Sequence, residues 1–177
     1  MDKVLLDSMI RYIHYGADSY DPGRFVPVKN SSWGTKPMNG GGLWASREND
    51  PFGWSVWCKE NHYSVQSLKQ YFRFTVSADS NILTLEDPFQ LTDLPKLKPW
   101  KPKDLSWMDT IEPGMMPSEE QLMQFYSTNP CYIDFEKLVR SGVDAVELIN
   151  CGAFQDSLDI WDCNCILIMN PEIIQPE

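Results

Sequence analysis

Alternation of apolar and polar positions marks out a series of short strands along this chain, and runs with helical spacing fall between them. The first strand reads from Met9 to Tyr15, where aromatic and β-branched residues dominate, and it stops at Gly16 with His14 near its C-terminal end. Residues Ala17 to Gly42 hold three prolines and five glycines among serines and asparagines, which predicts an irregular loop with a short extended piece at Phe25–Val28. Loops of that length inside a small domain are more often functional than idle. The loop closes with Gly40-Gly41-Gly42, and Leu43–Ser46 then reads as a short strand. Glycine suits positive φ and close backbone approach, so the triplet serves either a plain loop or the lip of a pocket.

Asp50 as N-cap and Pro51 at the first helical position predict a helix to about Asn61, weakened by Gly53. Tyr71–Ser77 and Asn81–Glu86 alternate as half-buried strands joined by a turn of the hairpin kind at Asp79-Ser80-Asn81. Asp87–Pro95 predicts one or two helical turns, and Pro95–Pro117, rich in proline with four lysines, a wrapping or linking segment. Ser118 caps a helix to Ser127, and Asp134 caps another that Gly142 closes. The last strands are Val143–Ile149 and Cys163–Asn170. With few crossover-length β-α-β units, this order predicts one α+β domain, a twisted, largely antiparallel sheet with flanking helices.

Composition narrows the partners. The 177 residues are 42% hydrophobic, enough to bury a core without metal or disulfide staples. A net charge of −10 leaves no broad nucleic-acid surface, because counterion release needs clustered Lys and Arg, so a small molecule or a protein is the expected partner. Five cysteines is an odd number, and the first ten residues lack a basic lead-in or a small-residue cleavage site. No stretch is long and apolar enough to span a bilayer, so a cytoplasmic protein with reduced thiols and no membrane contact is expected.

Candidate chemistry is sparse. His14 and His62 are the two histidines; His14 stands one residue before Gly16, where a side chain and a backbone amide can face one ligand, or where it simply packs. Trp44 on its strand and Trp54 and Trp57 at helical spacing offer flat faces to a planar ring, or else fasten the helix to the sheet. Glu147 shares a strand face with Val143, Ala145 and Ile149, an apolar setting that is costly unless the carboxylate is bonded or lies at the rim of a site. Asp144, on the opposite face, is the competing carboxylate. Cys58, Cys151, Cys163 and Cys165 lack knuckle spacing for zinc, which leaves ordinary buried thiols or a nucleophilic pairing of Cys58 with His14.

Ile-His-Tyr-Gly, the glycine loop before Gly-Gly-Leu-Trp-Ala-Ser, and the aromatic stretch Phe52–Cys58 together resemble the nucleotide-binding half of ADP-ribosyltransferase-like domains, in the poly(ADP-ribose) polymerase and diphtheria-toxin branch. The resemblance covers Tyr12 to Cys58 and one later carboxylate. It implies an ADP-ribosyltransferase-like fold that takes NAD as substrate, breaks the nicotinamide–ribose bond and passes ADP-ribose to a protein, another acceptor or water. It implies that His14 holds the adenosine ribose and Gly16 the nicotinamide carboxamide. Trp44 or Trp57 would stack on nicotinamide, with Ser46 as a supporting hydroxyl and Glu147 on the nicotinamide ribose. Tyr15 intervenes between His14 and Gly16, and Trp44 stands where the family uses tyrosine. Arg11, Lys29, Lys36 and Arg47 are the basic residues near enough in sequence to meet the pyrophosphate. The chain also resembles RES-type NAD-degrading toxins, in which an early arginine, here Arg11, contributes to the site and water is the acceptor. The contrasting class is a non-catalytic acidic interaction or inhibitor protein that uses an aromatic-rich face and the segment Pro95–Lys103.

Overall fold

The computed structural model describes residues 10–177, so Met9 at the start of the first expected strand, and the leader reading of residues 1–9, lie outside it. Seven strands form one mixed sheet: β1 Tyr12–Tyr15, β2 Leu43–Arg47, β3 Tyr71–Val76, β4 Ile82–Leu85, β5 Ala145–Leu148, β6 Cys165–Ile168 and β7 Ile174–Pro176. Their order is β4-β5-β6-β2-β1-β3-β7, and every neighbouring pair is antiparallel except β4 with β5. The fold is thus α+β with a largely antiparallel sheet, as alternation predicts.

The β3–β4 turn is a correction. These strands do not pair as a hairpin; they lie five strand positions apart, with β5, β6, β2 and β1 between them. In a flat sheet that separation is about 24 Å at ~4.8 Å per strand. The five residues from Ser77 to Asn81 reach about 20 Å at full stretch. The sheet must therefore bend, and its concave face closes over Tyr12, Phe72, Phe74, Ala145, Ile166 and Ile168. The bend is visible in one bond: the Tyr12 hydroxyl of β1 donates to Glu147 Oε1 of β5 over 3.0 Å, across two intervening strands.

The outer face carries a second core in which Val146, Leu148, Leu167, Phe135, Leu138 and Trp161 are buried. Helices α1 (Trp54–Glu60), α2 (Glu119–Tyr126) and α3 (Phe135–Arg140) flank the sheet. The last two start where their caps say: Ser118 and Gln121 form a reciprocal capping box, and Asp134 accepts the Lys137 N–H over 2.9 Å. Helix α1 departs from expectation. Asp50 caps only a turn, accepting the Phe52 N–H over 2.8 Å, and the helix begins three residues later at Trp54, whose N–H is taken by Ser46 Oγ at 2.9 Å.

Asp87–Pro95 holds a 3-10 helix, Pro88–Asp93, with its own capping box. The proline-rich segment wraps the outer core rather than hanging free. Lys96 Nζ donates to the carbonyls of Leu91, Thr92 and Leu94, Trp100 Nε1 to that of Asn129, and Lys103 Nζ pairs with Asp156 at 2.6 Å. Phe25–Val28 forms no strand, although the Gly42 N–H donates to Val26 O at 2.7 Å.

Candidate functional site

The ladder between β1 and β2 opens. It holds at Tyr12–Arg47 and Ile13–Ser46, while β1 stays paired with β3 through Tyr15 and β2 with β6 from Leu43 to Ala45. In the opening, the His14 Nδ1 lies 2.7 Å from the Trp44 carbonyl, so Nδ1 carries the proton and donates. Burial holds the imidazole below its ordinary pKa, with the carbonyl opposing only in part. The ring is therefore neutral at pH 7, and Nε2 is left as an acceptor.

This histidine lines two cavities. One, of about 290 Å³, is lined by His14, Tyr15, Trp44, Trp54, Cys163 and Lys36 among others. The other, of about 210 Å³, is lined by His14, Gly16, Tyr20, Arg24, Gly42 and Phe72 among others. Alternation sends the side chains of His14 and Trp44 to opposite faces of the sheet, yet because the strands part, one cavity touches both residues.

Glu147 lies on the concave face in the same cross-strand row as Ile166 and Ala45, and His14 and Phe72 extend that row. Glu147 is 3% exposed, and its carboxylate is held by two Arg47 bonds, Nε to Oε1 at 2.7 Å and Nη2 to Oε2 at 2.8 Å, besides the Tyr12 hydroxyl. Burial, followed by the Glu147 charge, keeps the Tyr12 phenol protonated far above its usual range. The carboxylate lines neither cavity, which corrects its expected place beside a ribose in the cleft. Asp144 is structural: its Oδ2 accepts the Asn81 N–H and its Oδ1 the Asn170 side chain, each at 2.8 Å, tying the start of β5 to its neighbours.

Other expected site residues have different employment. Gly16 lines the smaller cavity, but its N–H is committed to Gln70 O at 2.8 Å and is not free for a carboxamide. Ser46 is buried, and its hydroxyl donates to Asn164 O as well as capping α1, so it is structural. Trp57 stacks on Trp54 at 5.2 Å and lines neither cavity; the two tryptophans fasten the helix, and Trp54 alone of the pair reaches a cavity. Trp44 lines the larger cavity, with Trp161 edge-on at 4.9 Å and Lys36 Nζ 5.4 Å from its ring centre. Arg11 is exposed and paired with Glu177, away from both cavities, and the arginine that meets the acidic residue is Arg47.

Cys58 is fully buried, burial raises its thiol pKa, and it lines neither of the cavities that His14 lines, so the two form no nucleophilic pair. Cys131 is likewise buried, its pKa pushed up to about 11. Among the described residues, no three His, Cys, Asp or Glu side chains are grouped to hold a metal ion, and no helix is long and apolar enough to cross a membrane.

Motif reading passes over Tyr20 and Arg24, which line the smaller cavity, and Tyr12, which bonds Glu147. Period-two alternation from His14 marks Tyr12 as sharing its face; nothing local marks Tyr20 or Arg24 within an irregular loop. Comparison of the chain with family models, curated proteins and solved structures finds no match.

Proposed function

We propose that this chain binds NAD where β1 and β2 part and cleaves its nicotinamide–ribose bond, as an ADP-ribosyltransferase-like protein that passes ADP-ribose to a protein side chain, another acceptor or water. The observation that carries the reading is His14, fixed by the Trp44 carbonyl with Nε2 free to accept, and lining two cavities. The cavity beside Trp44, about 290 Å³, stands at the lower edge of small-ligand pockets, roughly 300–1,000 Å³. A neutral imidazole acceptor suits a ribose hydroxyl, and the largely apolar cavity beside Trp44 suits a flat pyridine ring.

In the proposed chemistry the C1′–N bond breaks and its electron pair leaves with neutral nicotinamide. Positive charge grows on the ribose until an acceptor oxygen adds and gives up its proton.

The interaction-protein reading has its own support. Glu147 is saturated by Arg47 and Tyr12, and Met108, Met115, Met116, Met123, Phe125 and Tyr126 expose apolar surface on the segment around α2. Titration with NAD while following tryptophan emission, paired with a nicotinamide-release assay on wild type and His14→Ala, separates the readings. Quenching with release that the substitution abolishes supports the enzyme. No quenching, no calorimetric heat and no release from either protein supports binding to a macromolecular partner instead.

A further inference from the structure

The smaller cavity holds polar groups that the proposed bond cleavage does not use. Tyr20 lines it, and the Tyr20 hydroxyl oxygen is buried without a hydrogen-bond partner among the described residues. A hydroxyl left so forfeits its hydration without compensation, so such groups call for an explanation. The ring is well placed: it tilts against Phe72 at 5.9 Å, and the His14 ring sits 5.1 Å from the same Phe72. Burial, with the Asp21 charge second, keeps the phenol protonated.

Arg24 ends the 3-10 turn Pro22–Arg24 and lines the same cavity. It is exposed and makes no ion pair among the described residues. Asp21, the nearest acidic neighbour in sequence, spends Oδ1 on the Gly23 N–H at 2.9 Å, which shapes the turn and leaves the guanidinium unneutralised by a bonded carboxylate. Arg24, free of a bonded carboxylate, and the unpartnered Tyr20 hydroxyl thus line one cavity, in which Asp21 is the single acidic residue.

We infer that this cavity seats the sugar-phosphate part of a nucleotide, with Tyr20 Oη on a ribose hydroxyl or phosphate oxygen and Arg24 on the phosphate. The inference rests on the NAD reading for the kind of ligand and deepens it by naming two binding residues. Calorimetric titration of the full chain with ADP-ribose, and separately with nicotinamide, tests it on wild type, Tyr20→Phe and Arg24→Gln.

Each substitution is expected to weaken ADP-ribose about tenfold, the Arg24 share shrinking as salt rises, while nicotinamide binding is unchanged. The ligand-free melting temperature of Tyr20→Phe is expected to hold or rise, since the deleted hydroxyl had no partner; a clear fall overturns the assignment of that hydroxyl to a ligand. ADP-ribose bound equally well by wild type and both variants overturns the proposal and leaves the NAD reading standing. ADP-ribose binding that needs both side chains, with no nicotinamide released from NAD, keeps the cavity assignment and ends the cleavage reading. A wild type that binds no ADP-ribose overturns both.

Discussion

On the concave face, Glu147, Arg47, Tyr12 and His14 are interleaved with Ile166, Ala45, Phe72 and Phe74; on the outer face of the same strands, Val146, Leu148, Leu167 and Trp44 meet Leu91, Phe135, Leu138 and Trp161. Both faces are closed to water over most of their area. The outer face is closed by apolar packing under a proline-rich wrap, and the concave one by bending the sheet until polar side chains from strands three positions apart can bond. The difference shows that burial alone does not separate core from candidate site here. What separates them is whether buried polar groups find partners within the sheet, as Glu147 does, or sit beside a cavity, as His14 and Tyr20 do.

The comparison breaks most sharply at Glu147. Glu147→Ala removes the partner of a guanidinium that is about a third exposed and of a buried phenol, and is expected to cost about 3 kcal/mol by urea denaturation, the lower end for a broken buried pair. The double variant Arg47→Met/Glu147→Gln is expected to recover most of that loss. If the single substitution is silent, the concave face is not held together by this triad.

Gly42 sits where the loop passes beneath β6, with φ +78° and with an added Cβ only 2.7 Å from the Ile168 carbonyl oxygen. Gly42→Ala is expected to cost about 2 kcal/mol or more, from left-handed strain and backbone contact together, and thermal denaturation measures it. Gly41 is similarly tight against Pro27 O and Val28 Cα, both at 2.9 Å. Gly41 and Gly42 therefore answer to close backbone approach, and Gly42 lines the smaller cavity.

The smallest effect belongs to His14. Its folded pKa is depressed, so below pH 6.5 the unfolded chain takes up a proton that the folded chain refuses. This contribution to stability is full above pH 6.5 and is lost as pH falls from there through the folded pKa. The pH dependence of stability is expected to flatten in that window in His14→Gln, and an unchanged slope removes the buried-imidazole account.

Six of the seven strands, and the caps of α2 and α3, were legible because alternation and capping are local: Tyr71–Val76 and Ser118–Gln121 carry their instructions within a few residues. Strand β7 was not, since Ile174–Pro176 is three residues long and owes its pairing to Phe74, Thr75 and Val76. The α1 start was misplaced because its cap is a serine eight residues back on a strand, which a search for caps just ahead of the helix does not find. Glu147 was legible as a buried carboxylate in need of a partner, but not as the partner of Arg47, one hundred residues away.

Residue order alone was enough for six of the seven strands and for the carboxylate of Glu147 interrupting an apolar strand face. Only the tertiary structure decided that β3 and β4 separate rather than pair, that the sheet bends so Tyr12 and Arg47 close on Glu147, and that the β1–β2 ladder parts beside His14. The physical reason is range. Side-chain alternation is set by the geometry of each residue and its neighbours, whereas strand order and curvature are set by contacts between residues a hundred or more positions apart, where many local patterns are equally compatible.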